Sequence, residues 1–195
     1  MFVKNLAVFC GSRIGASDDY IEGAKKLGQE LAKRQIRLIY GGSSVGMMGA
    51  VANAVLESGG QVTGVMPEFL DDKERSHKNL TELIIVGSMH ERKTKMSDLA
   101  DGFMALPGGP GTLEEFFEIF TWAQLGLHQK PIGFLNINHY FDLLISLFNQ
   151  MANEKFMDEK FRSMALVDTE PQGLLDQFHS YTPPEVKVYL KKNRT

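Results

Sequence analysis

Apolar residues in this chain come in short dense runs, and the stretches between them are amphipathic. Residues 3–9 form the first run, closed by Cys10-Gly11-Ser12. From 18 to 34, Ile21, Ala24, Leu27 and Leu31 recur at the three-to-four spacing of a helix with one apolar face. A second strand-like run at 37–40 ends in Gly41-Gly42-Ser43-Ser44, and Met47, Val51 and Val55 mark a helix that stops at Gly59-Gly60. The alternation continues with strands at 62–66, 83–86, 103–106, 131–135 and 165–167. Helices are predicted at 89–99, from the glycine-rich 107–111 turn to about 127, at 140–152 and near 174–179. Residues 67–79 are polar and read as a long irregular loop near one end of the sheet. Short apolar runs without polar alternation are strands buried on both faces, and helices between them make parallel βαβ units. The predicted fold is α/β, a doubly wound Rossmann-like parallel sheet with helices on both faces. Residues 1–182 are expected to form one domain. Residues 183–195 follow Pro183-Pro184 as a short basic tail carrying Lys187, Lys191, Lys192 and Arg194.

Composition narrows the function. Across 195 residues, 24 acidic side chains face 21 basic ones for a net charge of −3, which argues against a nucleic-acid partner. A hydrophobic fraction of 43% is ample for a core. The single cysteine, Cys10, excludes an internal disulfide and multi-cysteine zinc patterns. The histidines lack the His-x-x-x-His pairing of a metal site, so none is expected. With no signal-peptide core and no apolar run of membrane-spanning length, the expectation is a soluble, cytoplasmic protein.

Glycine makes the larger difference, because its excess is clustered. Three glycine-rich turns each follow a strand and open a helix: Gly11-Ser12, Gly41-Gly42-Ser43-Ser44 and Gly108-Gly109-Pro110-Gly111-Thr112. In an open parallel sheet such turns gather at the carboxyl edge, where ligands bind. There, bare backbone and helix N-termini suit a phosphate. Any one of these turns is also explained by glycine merely permitting a tight connection; three together favour an anion or nucleotide site. The third turn lacks the Gly-Lys-Ser/Thr ending of a P-loop, and the first lacks a Gly-x-Gly-x-x-Gly fingerprint. Thr112 and Glu115 admit two readings. Thr-x-x-Glu before an apolar run is a capping box, the more economical reading of these residues alone. Glu115 would equally lie one turn from any phosphate held at 109–112. The same helix carries Phe116, Phe117, Ile119, Phe120 and Trp122, more apolar directions than one sheet contact needs, which points to a second subunit. Ser88-Met89-His90-Glu91-Arg92-Lys93 opens another helix at the same edge, either as an ordinary charged turn or as part of the site. Met89 falls beside the ligand loops. Cys10 reads as a small buried residue.

Taken together, Pro107-Gly108-Gly109-Pro110-Gly111-Thr112-Leu113-Glu114-Glu115 matches the pattern PGGxGTxxE, and Met89-His90-Glu91-Arg92-Lys93 matches MHxRK. The chain thereby resembles the LOG ("Lonely guy") family of cytokinin-activating nucleoside-monophosphate phosphoribohydrolases, from Ala7 to about Tyr140. That family is often labelled lysine decarboxylase-like, but no segment reads as a pyridoxal-phosphate site. The resemblance implies hydrolysis of the N-glycosidic bond of AMP or N6-substituted AMP to the free base and ribose 5-phosphate, without metal or organic cofactor. It implies that Arg92 and Glu115 are the catalytic pair and that Gly109, Gly111 and Thr112 hold the phosphate. Lys93 and Thr121 fall at further substrate-contact positions. Gly11, Ser12, Gly41, Gly42 and Met89 complete the expected binding set. A homodimer is expected, without a nucleic-acid or membrane partner. Two rivals remain at this level: an AMP nucleosidase with no part in cytokinin chemistry, and a non-catalytic carrier of a nucleotide or pterin cofactor.

Overall fold

The computed structural model describes residues 3–71 and 76–186. Among them are seven strands: β1 (Asn5–Phe9), β2 (Arg37–Tyr40), β3 (Val62–Pro67), β4 (Glu82–Val86), β5 (Gly102–Ala105), β6 (Ile132–Leu135) and β7 (Ala165–Asp168). All pair in parallel, in the order β4-β3-β2-β1-β5-β6-β7. The helices are α1 (Asp18–Lys33), α2 (Gly46–Glu57), α3 (Glu68–Asp71), α4 (Met89–Leu99), α5 (Pro110–Gln124), α6 (Asp142–Asn153), α7 (Glu159–Arg162) and α8 (Pro171–Ser180).

Period-two alternation in the strands builds two cores. Leu6, Val8 and Leu38 point to one face, where α1, α2 and α8 cover them with Leu27, Leu31, Val51, Val55, Leu174 and Phe178. Ala7, Phe9, Ile39 and Phe103 point to the other, where α4, α5 and α6 supply Met96, Phe116, Ile119, Phe120 and Phe148. Helices therefore lie on both faces, as the doubly wound reading requires. The strand order reverses beside β1. The helix leaving β1 crosses to one face and the helix leaving β5 to the other, which opens a crevice between the carboxyl ends of these two neighbours.

Three expectations need correction or restriction. Residues 67–79 are not one irregular loop: β3 continues through Pro67 and α3 follows directly. The returning segment is pinned where the His77 amide donates to the Gly42 carbonyl at 2.8 Å. The aromatic face of α5 is largely satisfied inside the chain. Phe116 is 0% exposed, stacked 3.8 Å from Phe134, and Phe148 of α6 closes over Phe116, Phe117 and Phe120. The abundance of rings on α5 thus reflects a sheet on one side and α6 on the other. Most of the basic tail, 187–195, lies outside the described residues. No helix among the described residues is long and apolar enough to cross a membrane.

Candidate active site

The glycine turns meet backbone to backbone. The Gly11 amide donates to the Pro107 carbonyl at 3.1 Å. A Cβ on Gly11 would stand 3.3 Å from the Gly108 Cα, and one on Gly108 would stand 2.8 Å from the Gly11 nitrogen. Neither position has room for a side chain, so glycine at both lets the turns after β1 and β5 touch. Gly46, at φ +62°, packs against the backbone of Ser12 and brings in the segment after β2.

From this floor rises α5, whose first turn is bare. Its N-cap is Gly109, no side chain caps it, Pro110 follows, and open space lies over Gly109 and Gly111. Unsatisfied amides and the positive end of the helix dipole make such a terminus a ready anion site. With the N-cap at Gly109, Thr112 is the third helical residue and Glu115 lies within the helix, so the capping box is not formed. The buried Thr112 packs against Gly108 instead.

Glu115 is 8% exposed, and its Oε1 lies 3.2 Å from Nη2 of Arg92. Arg92 comes from the first turn of α4. Ser88 caps that turn by accepting from the Glu91 amide at 3.1 Å, while the Glu91 carboxylate accepts from the Gly87 amide at 2.8 Å. The guanidinium lies directly over Gly41, where any Cβ would collide with it, and Nη1 lies 3.7 Å from the Met89 sulfur. Arg92 Nε is buried with no hydrogen-bond partner, a donor left free at the site. Burial pushes the Glu115 carboxyl above the ordinary range; Arg92 and Lys93 oppose that, and Glu114 and Glu118 reinforce it. Cys10, at the end of β1, is pushed far up by burial and then by Glu115, and stays a thiol.

The turns after β1 and β5 border a cleft of about 400 Å³ at the start of α5, lined by Gly11, Ser12, Arg13, Tyr20, Gly109 and Tyr140 among others; Arg92 and Glu115 are not in its lining. The sequence reading missed Arg13, Tyr20 and Tyr140. Tyr140 donates to the Gly108 carbonyl at 2.7 Å and meets Tyr20 edge to face at 5.9 Å. It is aimed by Asn138 and His139, both left-handed at φ 51° and 56°. Asn136 braces this turn from beneath, bonded to the Phe141 amide and the Asp142 carboxylate, each at 2.7 Å. A polar turn after β6 was the only signal available, and it does not say which ring it will deliver.

Gly11, Ser12, Gly41, Gly42, Met89, Arg92, Gly109, Gly111, Thr112 and Glu115 thus gather at one edge. Two expected contacts behave differently. Lys93 is buried and engaged by Glu114 and Glu118, at 2.5 and 3.0 Å. Thr121 is exposed, six residues beyond Glu115, about 9 Å along the helix and about 120° around it. No group of His, Cys, Asp and Glu among the described residues could hold a metal ion.

A family model described as "Possible lysine decarboxylase" matches residues 48–178. The chain is 46% identical over 178 residues to the cytokinin riboside 5′-monophosphate phosphoribohydrolase of Rhodococcoides fascians, covering 91% of this chain and 90% of that protein. It is 42% identical over 188 residues to a cytokinin riboside 5′-monophosphate phosphoribohydrolase of Arabidopsis thaliana, covering 96% and 82%. Among solved structures, a molybdenum cofactor binding protein from the phototrophic bacterium Rippkaea orientalis matches with a TM-score of 0.70 at 22% identity, over 92% of this chain and 98% of that one. The Moco carrier protein of Chlamydomonas reinhardtii matches at 0.67 and 19%, over 90% and 95%. At those identities the likeness is one of fold alone.

Proposed function

The chain belongs to the family of cytokinin riboside 5′-monophosphate phosphoribohydrolases, and we propose that it hydrolyses the N-glycosidic bond of AMP or N6-substituted AMP. The products are the free base and ribose 5-phosphate. One observation carries this reading: a buried Arg92–Glu115 pair stands one turn from the bare N-terminus of α5. The 5′-phosphate sits at the first turn of α5, where open space lies over Gly109 and Gly111, which directs the ribose along the helix toward Glu115.

Breaking the bond between C1′ and the purine nitrogen leaves positive charge on the ribose and sends the electron pair to the base, whose nitrogen ends with the one proton that the attacking water gives up. The Glu115 carboxylate stabilises that cation, orients the attacking water and takes its proton as the new C–O bond forms. Burial raises the Glu115 pKa, which makes its carboxylate a stronger proton acceptor than an ordinary glutamate. Arginine stays protonated and cannot be the base. Arg92 pairs with Glu115 and offers its free Nε–H to charge that develops as the bond breaks.

A decarboxylase running on a Schiff base would need a free amine at this edge. Lys93, the lysine beside the pair, is held protonated: burial lowers its pKa, and the Glu114 and Glu118 carboxylates outweigh that. The residues present do not fit that chemistry. A cofactor carrier, the activity named for the structural relatives, has no use for a buried acid–base pair.

Incubation with AMP and chromatography of the products tests the proposal. Adenine and ribose 5-phosphate in equal amounts are expected; tight binding without release of base would replace the enzyme with a carrier. A homodimer belongs to the same proposal. It is supported by exposed Leu83 and Ile85 on edge strand β4 and by Leu125 and Leu127 after α5. Light scattering at the monomer mass of 21.8 kDa would remove it.

A further inference from the structure

We propose that Lys93 is a positioning residue that does not touch substrate: it neutralises the Glu114 and Glu118 carboxylates beside Glu115 and ties α4 to α5, so that Arg92 meets Glu115 in register. The inference rests on reading Arg92 and Glu115 as the catalytic pair, and it departs from the substrate contact that family resemblance assigns to Lys93.

Two cross-links join the same two helices at consecutive residues. Arg92 reaches Glu115 at 3.2 Å, and Lys93 reaches Glu114 at 2.5 Å and Glu118 at 3.0 Å. Glu114 and Glu118 are one helical turn apart, so a single ammonium can serve both. The Lys93 side chain is only 9% exposed, and its charge is already matched by two carboxylates. A phosphate could reach it only by displacing them, whereas the bare first turn of α5 offers amides with nothing to displace. The exposed Glu114 and partly exposed Glu118 would otherwise be free to extend into water; Lys93 holds both against α4.

The electrostatic consequence falls on Glu115. The groups facing it are Arg92 and Lys93 from α4, Glu114 and Glu118 from its own helix, and the protonated Cys10 thiol from the end of β1. Without Lys93, two carboxylates press on a third that is already buried. Glu115 then holds its proton to higher pH, and the acid limb of the rate profile moves with it.

The test titrates the Glu115 carboxyl by ¹³C NMR in the ligand-free full chain, alongside pH-dependent kinetics on AMP. The variants are Lys93→Met and the triple Lys93→Met/Glu114→Gln/Glu118→Gln. The single variant should move the Glu115 titration upward, and the triple, with the carboxylates gone, should return it toward wild type. The kcat of Lys93→Met at neutral pH should fall roughly 10- to 100-fold, the scale of a misplaced catalytic group, with KM held within about twofold. Raised KM at unchanged kcat, not recovered in the triple variant, would make Lys93 a substrate contact and overturn the proposal. An unmoved Glu115 titration would also overturn it. Should Lys93→Met fail to fold, the foldable Glu118→Gln must move the titration downward, or the idea fails. A shifted titration in a protein that never turns over AMP leaves the Lys93 role standing and removes the phosphoribohydrolase reading instead.

Discussion

Two helices begin at the carboxyl edge of the sheet, and their first turns are built by opposite rules. The start of α4 is closed: Ser88 accepts one amide, Glu91 accepts another, and the acid sits where the dipole favours it. The start of α5 is open, with a glycine N-cap, no capping side chain and no acid in its first turn. The closed terminus ties Glu91 to Ser88 and Gly87 to Glu91, which fixes the backbone just before Arg92. The open one has no acid in its first turn, and of the two acids that follow, Glu114 is exposed and Glu115 is buried inside the protein. The missing cap is shared with α2, α6, α7 and α8; what sets α5 apart is the open space over Gly109 and Gly111 beside the turns after β1 and β5, which suits the phosphate role proposed for it. The difference separates the element that aims the chemistry from the element that binds.

The contrast breaks most readily on the substrate. If the open terminus exists for the 5′-phosphate, adenosine should be turned over with a kcat/KM lower than that of AMP by about 10⁴–10⁵. Comparable values measured side by side would mean that the α5 start is merely uncapped.

Next in size is the chemistry itself. Glu115→Gln should lower kcat by about 10²–10⁴, while Glu91→Gln, which touches only the closed cap, should leave kcat within about twofold. Glu115→Gln removes a buried charge but leaves Arg92 without its partner, so the two effects on stability oppose each other and the melting temperature should move little. Glu114 is not a neutral control, because it carries part of the Lys93 network. The wild-type rate should fall as pH drops through the raised Glu115 pKa, since only the carboxylate can accept a proton from water. An acid limb at the ordinary glutamate range would contradict the burial that raises it.

A swap sharpens the comparison further. Gly109→Asp would give α5 the cap it lacks, and there is open space for the side chain. Thermal stability should rise by roughly the 0.5–1 kcal/mol of a cap and dipole contact. KM for AMP should rise on the order of tenfold or more, since one new carboxylate meets a dianionic phosphate. A variant that is more stable and binds AMP normally would show that phosphate does not use this terminus.

Much of this was legible in the sequence. The strand and helix alternation, the three glycine turns and the two motifs place the fold and the Arg92–Glu115 pair, because each rests on local pattern or local backbone freedom. The helix start was misjudged for a physical reason. Ser/Thr-x-x-Glu occurs at 88–91 and at 112–115, and only the backbone decides which serves as a cap; Pro110, suited to the first helical position, was the clue that α5 begins earlier. Tyr140 and the covering of α5 by Phe148 depend on contacts between distant segments. Lys93 shares a motif with Arg92, and no spacing rule says that neighbours on one helix turn will meet a substrate and a pair of carboxylates respectively.

The smallest effect is the most discriminating about α4. Ser88→Ala removes the hydroxyl that accepts the Glu91 amide, which should destabilise the protein by about 1 kcal/mol. Because the Glu91 carboxylate still holds the Gly87 amide, the turn should persist, and Arg92 should stay over Gly41 with the loss appearing in the melting curve alone. Turnover of AMP at a temperature well below the transition should then match wild type. If kcat drops while the melting temperature barely moves, the cap does more than close a helix. Its hydroxyl would then set the angle from which Arg92 addresses Glu115, and the closed terminus would belong to the catalytic machinery as fully as the open one.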